Sequence, residues 1–538
     1  MEVISDSKVS PKYKWTVLVL VIIGTFMAML DSSIVNVSLP DIIANFGSNI
    51  TDVQWIMTAY MLAFAALMPL TAWLRDRVGY KLLFICAIGI FTVGSLLCGM
   101  AWSVQSLIAA RVIQALGGGA IMPTGMAMLT EVFPVKERGQ AFGYYGLGII
   151  IGPMLGPTLG GYLTHAFTWR SVFLVNIPIG IICMFMASAQ LAKDKPHHST
   201  HRPFDLWGFI FFLACIVPFL LGISKGGDKG WTSSYVLTCA AICVIGFIGF
   251  VLVETHVKDR IIDISLFKIP VFSSCMIVTL ARSVALFGGT FLLPVFIQRV
   301  MGYNEITSGL IMLPSSILMA AMMPFMGRLS DRTAPRIPTF IGIIFLIIFM
   351  FMYCNIDVVT SLPNIIFPTL IRSVGMILLM APVMTAMMNS IPQRKAGMAS
   401  SMNSIIQQVG GSIGIAIFTT VQTNRTNYHM GIVAETVKNN SPAFKQAAVG
   451  IMQHAHSLGL NYHDAMAVAQ GAIIRKLSIA ASVMSFQDTF YFGGILMILA
   501  LPLAFLLPAK IAPPIPEASV KGEKVKEATL IEEGTIYE

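Results

Sequence analysis

The sequence predicts an all-α polytopic membrane protein, two six-helix bundles with two further transmembrane helices inserted between them. Three observations predict it. Hydrophobic residues make up 56% of the 538 and charged residues only 11%, with a mean hydropathy of +0.78; a soluble domain carries about 25% charged residues. Fourteen apolar stretches are long enough to cross a bilayer, which takes about 20 residues each. Features of the early spans also recur eight spans later. The same composition excludes a soluble globular protein, and it excludes disorder and nucleic-acid binding as main themes. Period-2 alternation is absent, which argues against a β-barrel.

The first six spans are expected at 15–39, 53–74, 82–101, 104–130, 140–163 and 171–192. Two follow at 206–224 and 233–253, then six at 270–298, 306–327, 338–355, 363–388, 397–421 and 487–507. The basic start Lys8–Lys14 leads into an apolar run too long for a signal h-region, so no cleavable signal peptide is expected. Charge placement orients the spans. With the N-terminus inside, Arg75, Arg77 and Lys81, Lys136 and Arg138, Arg328, Arg332 and Arg336, and Arg394 and Lys395 all fall on the inner side. Outer loops hold few basic residues, apart from the long one at 422–485. That asymmetry follows the positive-inside rule and puts both termini in the cytoplasm, at the cytoplasmic membrane. The net charge of +9 belongs to these loops.

The domain organisation follows. Residues 1–14 form a cytoplasmic N-terminus, 15–192 the first bundle, 193–269 a linker with two additional spans, 270–507 the second bundle, and 508–538 a charged tail. The insert 422–485 is expected to be extracellular with two short helices. Its His454, His456 and His463, near Asp464, fit no standard metal-ligand spacing. All eight Cys fall in predicted spans and no disulfide is expected. An internal repeat ties the bundles together. Asp76-Arg77 after span 2 is echoed by Asp331-Arg332 after span 10, and Arg111 in span 4 by Arg372 in span 12. Repeats of this kind mark secondary transporters.

Asp31 is the only acid deep inside a predicted span. An ionisable residue there faces a cavity or a partner, and desolvation moves carboxyl titration toward neutral pH. Two roles fit: a proton carrier, or a structural carboxyl bonded to a neighbouring helix. Arg111 lies at the same depth to within about one helical turn, so it is the expected partner, with Gln114 one turn on. A guanidinium snorkelling to the outer interface is the alternative for Arg111. Span 5 carries Gly148, Gly152, Gly156 and Gly160 at four-residue spacing, with Pro153, Pro157 and Gly161 in an adjacent stripe. Glycines so spaced admit a neighbouring backbone, and prolines loosen the helix's own ladder. Either tight packing or a moving contact fits that face. Asn36, near Asp31, and Arg372 are secondary candidates.

These residues also carry a family resemblance. From about residue 15 to 507 the chain resembles the 14-helix drug:proton antiporters (EmrB/QacA type) of the major facilitator superfamily. Leu30–Pro40 is similar to the family's first-helix motif, Ala72–Lys81 to the cytoplasmic gate motif, Arg111–Gly117 to the proton-coupling motif, and Gly152–Gly161 to the motif typical of exporters. Trp169-Arg170, Asn176–Gly180 and Gln408–Gly414 fit the 14-helix branch.

The resemblance implies a major facilitator fold and proton-coupled export of amphipathic or cationic compounds, bound between the bundles by helices 1, 4, 9 and 12. Asp31, Arg111 and Gln114 would couple protons. Asp76, Arg77, Gly79, Lys81, Asp331 and Arg332 would close the cytoplasmic gate by charge pairing, and the span 5 glycine face would be a moving contact between bundles, crossing span 10. Ala72, Tyr80 and Ala334-Pro335 depart from the gate pattern, so a looser inner gate is expected. Expected partners are small amphipathic substrates, protons and the lipid bilayer, with an envelope adaptor protein left open and no nucleic acid. No enzymatic activity, cofactor or metal is expected, since no G-x-x-x-x-G-K-[ST] occurs to hold a nucleotide. Export of a specific metabolite or lipid, and a transport-inactive sensor, are the competing functions.

Overall fold

The computed structural model describes residues 11–192, 204–257, 260–438 and 461–509, with Val449 and Met452. Among the described residues there are fourteen principal helices and no strand. They are α1 (Pro11–Phe46), α2 (Ile50–Leu67), α3 (Leu70–Gly99), α4 (Val104–Val132), α5 (Arg138–Ala166), α6 (Asn176–Gln190) and α7 (Leu206–Lys229). The rest are α8 (Ser234–His256), α9 (Pro270–Val295), α10 (Glu305–Ser330), α11 (Arg336–Met352), α12 (Leu362–Asn389), α13 (Ala396–Lys438) and α14 (Tyr462–Ala500). Thirteen helical segments are long and apolar enough to cross a membrane, and Asp52–Leu67 is a shorter apolar helix.

Local chemistry sets the boundaries. Pro69 has no N–H to offer, and α2 stops just before it, shorter than the expected 53–74. The chain resumes as helix at Leu70 and turns instead at Gly79, whose φ of 81° suits only glycine. Asn49, Ser103, Ser233 and Asn304 accept backbone N–H bonds at the starts of α2, α4, α8 and α10. Near the far end of the chain two helices outrun the expected spans. Within 422–485, α13 runs on to Lys438 and α14 begins at Tyr462, and most of the segment between them lies outside the described residues. These extensions are joined side by side, Arg425 Nε and His429 Nε2 reaching Asp488 at 2.6 and 2.7 Å. Apolar runs end where the bilayer ends, but helix propensity does not, so a hydropathy boundary stops short of the helix. His197, His198, His201, His454 and His456 lie outside the described residues.

The helices pack as two bundles. In the first, α1 lies on α5 and α3 on α4; in the second, α9 lies on α13 and α11 on α12. The pairings α1–α5 and α9–α13 are the same pairing eight helices apart. Helices α4 and α12 are buried along most of their length. The hairpin α7–α8 touches α2 of one bundle and α13 of the other, through Lys225 to Gln54 at 3.0 Å and Trp231 to Thr420 at 3.2 Å. The bundles meet chiefly along α5 and α10. We call the end that carries Arg75, Arg77, Lys81, Arg328, Arg332 and Arg336 the basic end.

Candidate functional site

Inside the first bundle, α1, α3, α4 and α6 bring together a fully buried polar cluster: Asp31, Ser95, Arg111, Gln114 and Asn176 are each 0% exposed. Arg111 Nη1 donates to Asp31 Oδ2 at 2.5 Å, while Gln114 Nε2 and Asn176 Nδ2 donate to Asp31 Oδ1 at 2.7 and 3.0 Å. Arg111 and Gln114, three residues apart, share one face of α4 and are bonded to each other at 2.7 Å. Gln114 also reaches Ser95 Oγ at 2.6 Å. The Tyr60 ring lies 4.0 Å from the guanidinium and Phe173 lies 5.6 Å away, so aromatic faces complete the shell around the cation. Among the described residues Arg111 Nε and Nη2 and Asn176 Oδ1 have no hydrogen-bond partner. The cluster is thus an ion pair held out of water with donor capacity to spare. Removing either charge leaves the other unpaired at a cost of about 3–5 kcal/mol.

Sequence reasoning placed Asp31, Arg111 and Gln114 but missed Tyr60, Ser95 and Asn176 as parts of this site. Asn176 carries a signal: it is a polar residue at the mouth of an apolar run, where an unpaired amide is costly. Tyr60 and Ser95 carry none, since both are ordinary in a span. Asn36, one turn beyond Asp31, is exposed and lies outside the cluster.

The glycine face lies elsewhere than expected. A Cβ on Gly148 would stand 2.9 Å from Ile22 O, on Gly152 2.7 Å from Leu30 N, on Gly156 2.5 Å from Ser33 Oγ, and on Gly160 2.9 Å from Ile34. All four neighbours belong to α1, so the face is an intrabundle contact and not one between bundles. Four-residue spacing specifies a close neighbour without saying which helix supplies it. Pro157 has no N–H for the carbonyl of Pro153, and Ser33 Oγ takes that place at 3.1 Å; Gly161 lies in the next turn. In the repeat, Gly410 abuts Leu280 and Ser283 of α9, and Gly414 abuts Val284.

Helix α5 does pack along α10, but by another face, from Thr158 beside Gly309 down to the basic end. A Cβ on Gly139 would lie 2.5 Å from both Gly327 O and Asp331 Oδ1. Asp331 accepts from Gly139 N at 2.6 Å and Gln140 N at 3.0 Å, the free donors of the first turn of α5. Burial pushes the Asp331 carboxyl up to about 6, with the two amide donors pulling the other way and Glu137 adding to the rise. More bonds join the bundles at this end. Arg138 Nη1 donates to Asn389 Oδ1 at 3.0 Å, Ser400 Oγ to Pro123 O at 2.8 Å, and the Thr71 and Ser401 hydroxyls meet at 2.7 Å. The basic end is shut.

The arginines expected to shut it do not. Arg77 and Arg332 are exposed, Arg77 over the Trp73 ring at 5.2 Å. Lys81 donates to Ser188 O and Leu191 O at 2.7 and 2.6 Å, capping α6 within its own bundle. Asp76 is bonded to Arg75 at 2.5 Å, and Arg75 stacks on Tyr80 at 4.8 Å. A water-facing arginine gains little from pairing, and backbone amides at a helix start are better placed to hold a buried carboxylate. The two gate copies also differ in closeness. Where Gly327 meets Gly139, Ala72 meets Gly397, and a Cβ there would stand 3.8 Å from Ala72; the Ala72 methyl keeps the first copy apart.

In the second bundle Arg372 is buried in α12, 5.6 Å from the Phe349 ring. Arg282, also buried, lies on α9.

Two bundles of apolar helices related by a repeat, with a buried ion pair in one and a closed contact at one end, define a multi-pass membrane transporter. A family model described as Major Facilitator Superfamily matches residues 21–415, and the chain belongs to that superfamily. It is 33% identical over 500 residues to an uncharacterized MFS-type transporter, YhcA, of Bacillus subtilis, covering 92% of this chain and 93% of the relative. It is 31% identical to the riboflavin transporter RibZ of Clostridioides difficile, covering 79% and 92%, and 28% identical to the multidrug export protein EmrB of Escherichia coli, covering 89% and 92%. The human organic anion transporter MFSD10 shares the fold, with a TM-score of 0.56 at 12% identity over 91% of this chain and all of that one.

Proposed function

We propose that the chain exports amphipathic small molecules across the cytoplasmic membrane in exchange for protons, as a multidrug efflux antiporter. The observation that carries this reading is the Asp31–Arg111 pair, an acid inside a span facing a cation at 2.5 Å, both fully buried. While the pair is intact the carboxylate has its counter-ion. When helix movement separates the two, a lone buried carboxylate is costly and takes a proton. Proton uptake and conformation are thereby linked through one contact. The basic end is the cytoplasmic end, by the excess of basic residues there, which puts both termini in the cytoplasm. On this reading the end shut by Asp331 and Arg138 faces the cytoplasm, so the cytoplasmic side is closed.

Similarity to EmrB supports a multidrug substrate range, and similarity to RibZ favours a second reading, export of one metabolite. A panel of amphipathic dyes, drugs and flavins in inverted membrane vesicles separates them. An imposed proton gradient should drive accumulation of several unrelated compounds; accumulation of one alone supports the second reading, and accumulation of none contradicts both.

A further inference from the structure

The second bundle holds a cation for which no described residue supplies a counter-ion. Arg282 sits near the middle of α9 and is 6% exposed. Among the described residues it makes no ion pair or hydrogen bond. The acids of that bundle lie at helix ends or, like Asp488, are already bound to Arg425 and His429. A guanidinium keeps its charge in proteins, so this one is an uncompensated charge at membrane depth, which is costly to maintain.

Its place in the repeat is telling. Gly152 packs on Leu30, one residue before Asp31, and the repeat glycine Gly410 packs on Leu280 and Ser283, which flank Arg282. The level of Asp31 in one bundle is therefore the level of Arg282 in the other, with the charge reversed. Arg282 also borders two small pockets. One is lined by Thr279, Met380, Met384, Asn403 and Gln407, a polar edge with two amides beside flexible apolar side chains. The other is apolar, with Val278, Ile343, Leu346, Leu379 and Met497.

We propose that Arg282 anchors an oxoanion site that takes the carboxylate or phosphate head of an amphipathic substrate. Gln407 supplies a further donor, Asn403 another on leaving Met126 Sδ, which its amide now meets at 3.7 Å, and the methionines pack against the adjoining apolar carbon. This rests on the export reading and deepens it: the compound carried has an acidic end, contrary to a preference for simple cations. A bidentate guanidinium suits a carboxylate or phosphate better than any other side chain does.

The test uses the purified full-length protein in a neutral detergent, titrated calorimetrically with matched pairs, naphthoate against naphthamide and decanoate against decanamide, and separately with inorganic phosphate and chloride. Each acid should bind at least tenfold more tightly than its amide. Arg282→Gln should erase that ratio without weakening the amide, and Arg282→Lys should keep part of it. A ratio near one in the wild type, or a ratio unchanged in Arg282→Gln, overturns the site. Saturation by phosphate or chloride with no discrimination between acid and amide overturns the assignment to a substrate head. Should Arg282→Gln fail to fold, Gln407→Ala and Asn403→Ala provide the check: each should weaken the acids several-fold and spare the amides, and unchanged affinities count against the site. The titration needs no gradient, so its outcome is separate from that of the vesicle experiment on export.

Discussion

Asp31→Asn isolates the charge of the buried pair while keeping its shape. The new amide still accepts from Arg111, and Asn176, whose Oδ1 is unpartnered, can turn to accept from the new N–H group. Only the Gln114 Nε2 bond to Oδ1 is then lost, and the main change is a fully buried guanidinium without a counter-ion. That cost is about 3–5 kcal/mol, and the ease of rearrangement places it near 3. Arg111→Gln leaves the carboxylate alone and costs a similar amount. The double variant Asp31→Asn/Arg111→Gln removes both charges, so most of the penalty disappears: with each single at about 3 kcal/mol and the double at about 1, the coupling energy between the sites is about 5 kcal/mol. Thermal unfolding of the purified single and double variants measures this: both singles should melt well below wild type and the double should recover. All three should lose efflux driven by a proton gradient, because none can exchange a proton for the pair. A double variant as unstable as the two singles combined would show that the charges do not stabilise each other, and full efflux in Asp31→Asn would remove Asp31 from coupling.

Three further predictions follow from the contacts. Gly139→Ala places a methyl 2.5 Å from Gly327 O and Asp331 Oδ1, so it should force the basic end apart, seen as longer spin-label distances between the ends of α5 and α10; unchanged distances would mean the contact yields without opening. Gly156→Leu presses on Ser33 and Ile34 within one bundle, at a cost of about 1–3 kcal/mol, and should lower the melting temperature without biasing cysteine accessibility to either side; a one-sided bias would make the face a moving contact after all. Asp331, pushed up to about 6 in the closed contact, returns to about 3.9 when solvated. The closed state then binds the proton more tightly, so lowering pH from 7 to 5 should shorten the same distances, and Asp331→Asn should remove the pH dependence.

Much of this architecture is legible in the amino acids because lipid imposes a simple rule on them. An apolar run of some 20 residues has few alternatives to a spanning helix, and a lone Asp beside a same-depth Arg has few alternatives to a pair. The partner of a glycine face is another matter. Gly148–Gly160 specify closeness, but whether α1 or α10 fills the groove depends on the whole bundle. The gate shows the same limit from the other side: Asp331 draws on the backbone amides of Gly139 and Gln140, and backbone donors leave no mark in residue identity. Arg77 and Arg332 are suited by type to pairing, yet their position at the surface leaves them in water. Tyr60 and Ser95 are too common in spans to stand out, and only their placement around Arg111 gives them a role.

The central claim is that proton uptake at Asp31 is tied to separation of the Asp31–Arg111 pair, so a compound that shifts the conformation also moves protons. The most direct test is proton release in weakly buffered detergent solution on adding a compound that the vesicle experiment shows to be exported. Wild-type protein should release protons on binding, and Asp31→Asn should bind the compound and release none. Equal release from wild type and Asp31→Asn would contradict the account.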